Sequence, residues 1–215
     1  MQLSPTALPR SCTLTACLIV IDAQESFRHR PYYRADDVPA WLAAQNALIA
    51  GCREAGVPIV RIYHVDGPQE AGNPFAQESG HIRPFTGLAD FAADATFVKH
   101  RHSALVGTGL DVWLTQQGIR RLIVTGIRTE QCCETTTRHA SDLGWQVDYA
   151  LDATLTFDMV QPDGQPLTAS QIRARTATVL DGRFARVRSA AQVLAALPVG
   201  AGGVRIADPL RLRPS

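Results

Sequence analysis

Apolar residues recur along this chain in two rhythms that alternate with each other. Leu14 to Ile21 is a continuous apolar run rich in β-branched residues and ending at Asp22, the pattern of a strand buried on both faces. From Val38 to Ala55 the period lengthens, with Trp41, Leu42, Leu48, Ile49 and Cys52 at helical spacing and Gly56 as the stop. Val57 to His64 predicts a second strand and Ala95 to Lys99 a short third one. Gly107-Thr108-Gly109 opens a helix through Leu110, Val112, Trp113 and Leu114 that stops at Gly118. It lacks the third glycine of a dinucleotide-binding fingerprint and does not follow the first strand, so it reads as a helix start alone.

The second half repeats the alternation. Arg121 to Thr125 is a strand, followed by a helix to about Leu143 that ends near Gly144, and Trp145 to Leu151 is a fifth strand. Pro162-Asp163-Gly164 is a turn, and Thr168 or Ser170 caps a helix reaching Leu180. Phe184 to Val187 is a last short strand and Ala190 to Leu197 a short helix. Residues 66–86, with three prolines and three glycines, carry no periodicity and form a long loop of the kind that often serves function. Strands alternating with helices predict an α/β fold: a single-domain three-layer α-β-α sandwich around a mostly parallel six-stranded sheet. The domain spans 14–198, between an N-terminal extension at 1–13 and a C-terminal tail at 199–215.

Composition narrows the picture by exclusion. The chain has 215 residues, enough for one sizeable core, and 46% are hydrophobic, which argues against disorder. The formal net charge is +1 with scattered Lys and Arg, so neither a nucleic-acid footprint nor a polybasic membrane patch is expected. No apolar run has the length of a spanning helix and the first ten residues do not read as a signal peptide, so a cytoplasmic location is expected. The five cysteines, at 12, 17, 52, 132 and 133, are odd in number and irregular in spacing, which argues against both a disulfide framework and a zinc site. No cofactor and no metal are expected.

Ligands of parallel sheets bind beyond the C-terminal ends of the strands. The reactive residues there are Asp22, His64, Lys99 and the turn carrying Cys132. Thr129 reads as a helix N-cap, which puts Cys132 in the first helical turn. Partial positive charge and unpaired N–H groups there would make its thiol more acidic than a free one and would offer donors to an oxyanion. Cys133 projects about 100° away on a helix and reads as a packing residue. Asp22 is either a cap or ion-pair carboxylate or a general base. Lys99 is either a solvated strand end or, beside Asp22, a donor that holds carboxylate, thiol and substrate in register.

Three segments together carry a resemblance: Leu18-Ile19-Val20-Ile21-Asp22-Ala23-Gln24, Val98-Lys99, and Val124-Thr125-Gly126-Ile127-Arg128-Thr129-Glu130-Gln131-Cys132-Cys133-Glu134-Thr135-Thr136. In this order, each at a strand end, they resemble the isochorismatase-like cysteine hydrolase superfamily over about Leu14 to Val187. The resemblance implies a cysteine hydrolase that cleaves a C–N bond of a small amide, carbamoyl or ureido compound through a thioester. Asp22 would be the acid/base, Lys99 the orienting cation and Cys132 the nucleophile. It further implies a cis peptide at Ile127-Arg128, an oxyanion hole from the backbone N–H groups of Arg128 and Cys132, and a homodimer or homotetramer.

The departures from the family's patterns matter as well. His64-Val65-Asp66 and His81 do not reproduce the metal-binding histidine set of nicotinamidases. Isochorismatases proper often lack the cysteine, so its presence favours C–N cleavage. Arg128 stands where relatives commonly have a small residue. Facing the pocket it would grip a substrate carboxylate in a bidentate fork, and facing solvent it would not. Gln24, Phe27, His64 and Phe157 are further candidates for contact with substrate. Two other readings stay open: an isochorismatase-type, ester or lactam hydrolase, and a non-catalytic thiol protein that senses redox state or binds a ligand, suggested by the Cys132-Cys133 pair.

Overall fold

The computed structural model describes residues 15–197. The extension 1–13, the tail 199–215 and the expected domain boundaries at 14 and 198 lie outside the described residues. The apolar runs form β1 (Ala16–Ile21), β2 (Ile59–His64), β3 (Ala95–Lys99), β4 (Arg121–Ile127), β5 (Gln146–Leu155) and β8 (Arg186–Arg188). They pair in the order β3-β2-β1-β4-β5-β8, every neighbour parallel. The six-stranded α/β sandwich is thus present, and among the described residues its main sheet is parallel throughout.

Side-chain alternation along each strand divides the core in two. Leu18 and Val20 of β1 and Ile59 of β2 face α1 (Val38–Glu54) and α5 (Ala190–Ala195), against Trp41, Leu48, Ile49, Cys52 and Val193. Cys17, Ile19 and Ile21 with Val60 and Ile62 face the opposite layer. That layer is α2 (Leu110–Gln116), α3 (Glu134–Asp142) and α4 (Ala169–Leu180), which contribute Leu110, Leu114, Ala140 and Leu180. β1 is buried along its whole length because both layers close on it. Its apolar run without alternation records that environment.

Several boundaries move. β5 runs to Leu155, four residues past the expected end, and its pairing with β4 shifts register between Val124 and Gly126. The Pro162-Asp163-Gly164 turn belongs to a small hairpin, β6 (Met159–Val160) with β7 (Pro166–Leu167), too short to show a period of two. Thr168 caps α4 in a capping box with Gln171, and Ser189 does the same for α5 with Gln192. The 66–86 loop includes a 3-10 turn, Gln77–Ser79, and lies as a strap along the segment after Asp22. There the Phe85 N–H donates to Ala23 O (2.9 Å), the Glu25 N–H to Arg83 O (3.0 Å) and Ser26 Oγ to His81 O (3.1 Å).

A buried carboxylate stands at the end of the sheet away from the C-terminal strand tips. Asp148 of β5 is fully buried and takes Arg121 of β4 as its close partner, with Arg186 Nε at 2.9 Å and Arg188 Nε at 3.5 Å. These contacts tie β8 to the centre of the sheet.

The strand order reverses beside β1, and β1 and β4 meet at this switch point. Gly126 allows their close approach. Its φ is +122°, and a Cβ there would overlap the carbonyl of Ile21. Neither the backbone angle nor the space suits a side chain. Gly126→Ala is therefore expected to destabilise the protein by about 4 kcal/mol or more, or to leave it insoluble. Guanidinium unfolding monitored by circular dichroism measures this, and an unchanged midpoint would contradict the steric argument.

Candidate active site

Three chain segments converge above the switch point. Asp22 follows the last residue of β1 with φ +48°, a left-handed conformation that aspartate tolerates better than most residues. Lys99 closes β3. Cys132 lies in a turn of π-helix, Thr129–Cys133, directly after β4 and continuous with α3. The Ile127–Arg128 peptide preceding that turn is cis.

The expected cap is different in detail. Thr129 does not cap the helix with its side chain. Its hydroxyl pairs with that of Thr154 at 2.8 Å, and its carbonyl accepts from the buried Tyr149 hydroxyl at 2.7 Å. Arg128 holds the N-cap position with no side-chain cap bond. The wider π turn follows from these outside contacts, which a one-dimensional pattern does not carry.

Lys99 is the centre of the cluster. It ends an edge strand, so its side chain must reach across the end of β2 to the other two groups. Its Nζ donates to His64 Nδ1 (2.9 Å), Arg101 O (3.1 Å) and Cys132 Sγ (3.3 Å), and lies 2.8 Å from Asp22 Oδ2. Lys99 and Asp22 are both 0% exposed, which excludes the solvated-lysine reading. Burial opposes the ammonium charge, but Asp22 foremost and Cys132 after it outweigh burial and hold the lysine pKa above its ordinary value. Asp22 Oδ2 faces Lys99 Nζ, whereas Oδ1 has no hydrogen-bond partner among the described residues. A buried carboxylate with open lone pairs is costly unless another group uses them.

The thiol differs from the sequence expectation. Cys132 is not acidic in this state. Burial first, and the Asp22 carboxylate second, push its pKa far up, and Lys99 only partly reverses the rise. The backbone field at a helix start is outweighed by desolvation, which is decisive for a residue only 5% exposed. The thiol beside the Asp22 carboxylate is therefore held in its protonated form. Cys133 is buried in the α2–α3–α4 side of the core with Tyr149, a packing position.

The remaining candidates separate. His64 joins the cluster through Lys99. Gln24 spends its side chain on the scaffold: Nε2 donates to His64 O (2.9 Å) and Ser26 Oγ (2.8 Å), and Oε1 accepts the His64 N–H (2.7 Å). Its amide is thus occupied by protein groups rather than turned to a substrate. Phe27 and Phe157 stack at 6.4 Å, and Phe75 of the strap meets Phe27 edge-on at 5.1 Å and His64 at 5.7 Å. Arg128 is buried rather than turned to solvent. Its Nε is 3.1 Å from Glu130 Oε1, its guanidinium donates to Phe157 O (3.1 Å), and it lies over the Tyr32 ring at 4.8 Å. An arginine already matched to a carboxylate is poorly placed to grip a second one in a fork.

Sequence reasoning missed Glu130, Tyr32, Phe75 and the Arg101 carbonyl. The opposite charge of Glu130 two residues after Arg128 was a readable hint. Phe75 sits in an aperiodic loop and gave none. Among the described residues, no group of three or more His, Cys, Asp or Glu side chains could hold a metal ion, and no helix is long and apolar enough to cross a membrane.

Comparison with known proteins gives a single direction. The isochorismatase domain model matches residues 16–183. The isochorismatase family protein YrdC of Bacillus subtilis strain 168 is 26% identical over 178 residues, covering 82% of this chain and 93% of YrdC. The streptothricin hydrolase of Streptomyces noursei is 27% identical over 167 residues, 74% of this chain and 57% of that protein. A crystal structure of a Burkholderia xenovorans LB400 protein superposes with a TM-score of 0.78 at 32% identity, covering 86% of this chain and 88% of that one.

The electrostatics of the thiol make a signed prediction. Removing the Asp22 charge in Asp22→Asn lowers the Cys132 pKa, and removing the cation in Lys99→Met raises it further. Thiolate absorbance at about 240 nm, referenced to Cys132→Ser, reads both. A Cys132 titration left in place by Asp22→Asn would show that the carboxylate is not its dominant charged neighbour.

Proposed function

The chain belongs to the isochorismatase family, and we propose that it acts there as a cysteine hydrolase on a C–N bond of a small amide, carbamoyl or ureido compound. One observation carries this reading. A single buried ammonium, Lys99, lies 2.8 Å from a carboxylate and 3.3 Å from a thiol, which ties a base and a nucleophile to one fixed cation.

In this reading Asp22 takes the Cys132 proton as Sγ attacks the carbonyl carbon. The protonated thiol and the unpartnered Oδ1 of Asp22 support that transfer. The carbonyl electrons become an oxyanion, received by the backbone N–H groups of Arg128 and Cys132. Collapse of the tetrahedral intermediate breaks the C–N bond, and ammonia or an amine leaves with the proton from Asp22. Water, deprotonated by Asp22, then attacks the thioester and restores the thiol. Lys99 stays protonated and offsets the negative charge that passes between carboxylate and sulfur.

A nucleophile that forms a covalent intermediate suits an amide, whose amine is a poor leaving group until protonated. The likeness to a streptothricin hydrolase supports hydrolysis of a nitrogen compound without naming this chain's substrate. Phe27, Phe75, Phe157 and Tyr32 supply an apolar flank for a substrate body.

The test is ammonia or amine release over a panel of small amides, ureides and carbamoyl compounds. Cys132→Ala is expected to lower turnover at least about 1000-fold, and Asp22→Asn comparably, because each removes a member of a covalent mechanism. With active substrate, Cys132 should carry the acyl mass in rapidly quenched samples. Turnover by Cys132→Ala at the native rate would overturn the mechanism.

A further inference from the structure

We propose that His64 is the positioning residue of the catalytic lysine, and that it acts as a neutral acceptor holding the Lys99 ammonium between Asp22 and Cys132. The proposal rests on the reading of Lys99 as the orienting cation of the site.

The topology creates the need. Lys99 belongs to the edge strand β3, while Asp22 follows β1 and Cys132 follows β4, so the end of β2 lies between the lysine and its partners. His64 is the residue at that end and is paired in register with Lys99 itself. A long lysine stem crossing a gap has several rotamers of similar energy, and charge alone does not choose among them. A directed acceptor does. Nδ1 of His64 takes an N–H at 2.9 Å and the Arg101 carbonyl stands at 3.1 Å, with Asp22 Oδ2 at 2.8 Å and Cys132 Sγ at 3.3 Å as the other two neighbours of Nζ.

The imidazole is itself fixed on every side. Gln24, two residues after Asp22, clamps both backbone groups of His64. Phe75 packs edge-on to the ring. Nε2 faces Asp66 Oδ2 at 3.7 Å. An ammonium can only donate, so Nδ1 must be the bare nitrogen and Nε2 must carry the proton, directed to the Asp66 side. Asp22 and His64 are thus joined twice, through Lys99 and through the segment that carries Gln24.

The charges facing His64 favour the neutral ring that this role requires. Burial and the adjacent Lys99 lower its pKa, with His102 adding to them, while Asp22 and Asp66 act in the opposite direction. Protonation would delete the acceptor and put a second cation against Lys99. The support is therefore present above the depressed His64 pKa and is lost as pH falls through it.

Two measurements test this, and neither needs a substrate, so their failure is distinct from a failure to find amide hydrolysis. Long-range nitrogen–proton NMR of the imidazole should show the Nε2–H tautomer in the wild type. Lys99→Met should raise the His64 pKa and Asp22→Asn should lower it. An Nδ1–H tautomer, or a His64 pKa unmoved by Lys99→Met, overturns the proposal. Site-resolved alkylation of Cys132 by iodoacetamide at about pH 7.5 gives the functional readout. His64→Asn, whose Oδ1 can stand in for Nδ1, should stay within about threefold of wild type. His64→Leu should slow at least about tenfold, the effect of one pK unit on the thiolate. Equal rates in the two variants overturn the positioning role. Should His64→Leu fail to fold, the tautomer and the Lys99→Met shift decide the matter.

Discussion

Everything at this site depends on one desolvated cation. A fully buried ammonium is stable only if its charge is matched and its three protons are received. Lys99 meets both conditions with groups from four places in the chain: Asp22 after β1, His64 ending β2, Arg101 after β3 and Cys132 after β4. Each partner therefore has to be delivered to within a few tenths of an ångström, and the surrounding structure can be understood as the means of delivery.

Two kinds of device do this. Backbone devices bring the strands close: Gly126 lets β4 approach Ile21, the left-handed residue Asp22 turns its carboxylate over the sheet, and the π turn sets Cys132 beside it. Backbone and side-chain hydrogen bonds hold the loops. The 66–86 strap is bonded along the segment after Asp22, and Gln24 ties that segment to β2. Arg128 and Glu130 neutralise each other against Thr156 and the Phe157 carbonyl, which anchors the turn that carries the thiol. Far from the site, Asp148 and its arginines hold the last strand, so the same logic of a buried charge matched by several partners recurs at the opposite end of the sheet.

The burial that orders the cluster also sets its chemistry. It keeps the thiol protonated beside Asp22, so the resting site is a neutral thiol next to a carboxylate–ammonium pair rather than a ready thiolate. In the proposed mechanism the nucleophile would be activated only as the substrate is attacked, and the fixed positive charge of Lys99 would serve whichever neighbour holds the negative charge.

The order of amino acids specified the alternation of strands and helices, the parallel sheet, and the nomination of Asp22, Lys99 and Cys132 at strand ends, because buried periodicity and the position of polar residues after apolar runs are local signals. It also marked Cys133 for the core. It did not determine the ionisation of Cys132, because a helix-start field is local whereas desolvation depends on what covers the thiol. Nor did it determine the surroundings of Arg128 or the scaffold role of Gln24, since both follow from partners brought in by folding. The Lys99–His64 contact is the clearest case. His64 and Lys99 are 35 residues apart, and only the parallel pairing of β2 with β3 makes them neighbours. Strand order is a tertiary fact, and it decided that a histidine would stand where the lysine has to cross.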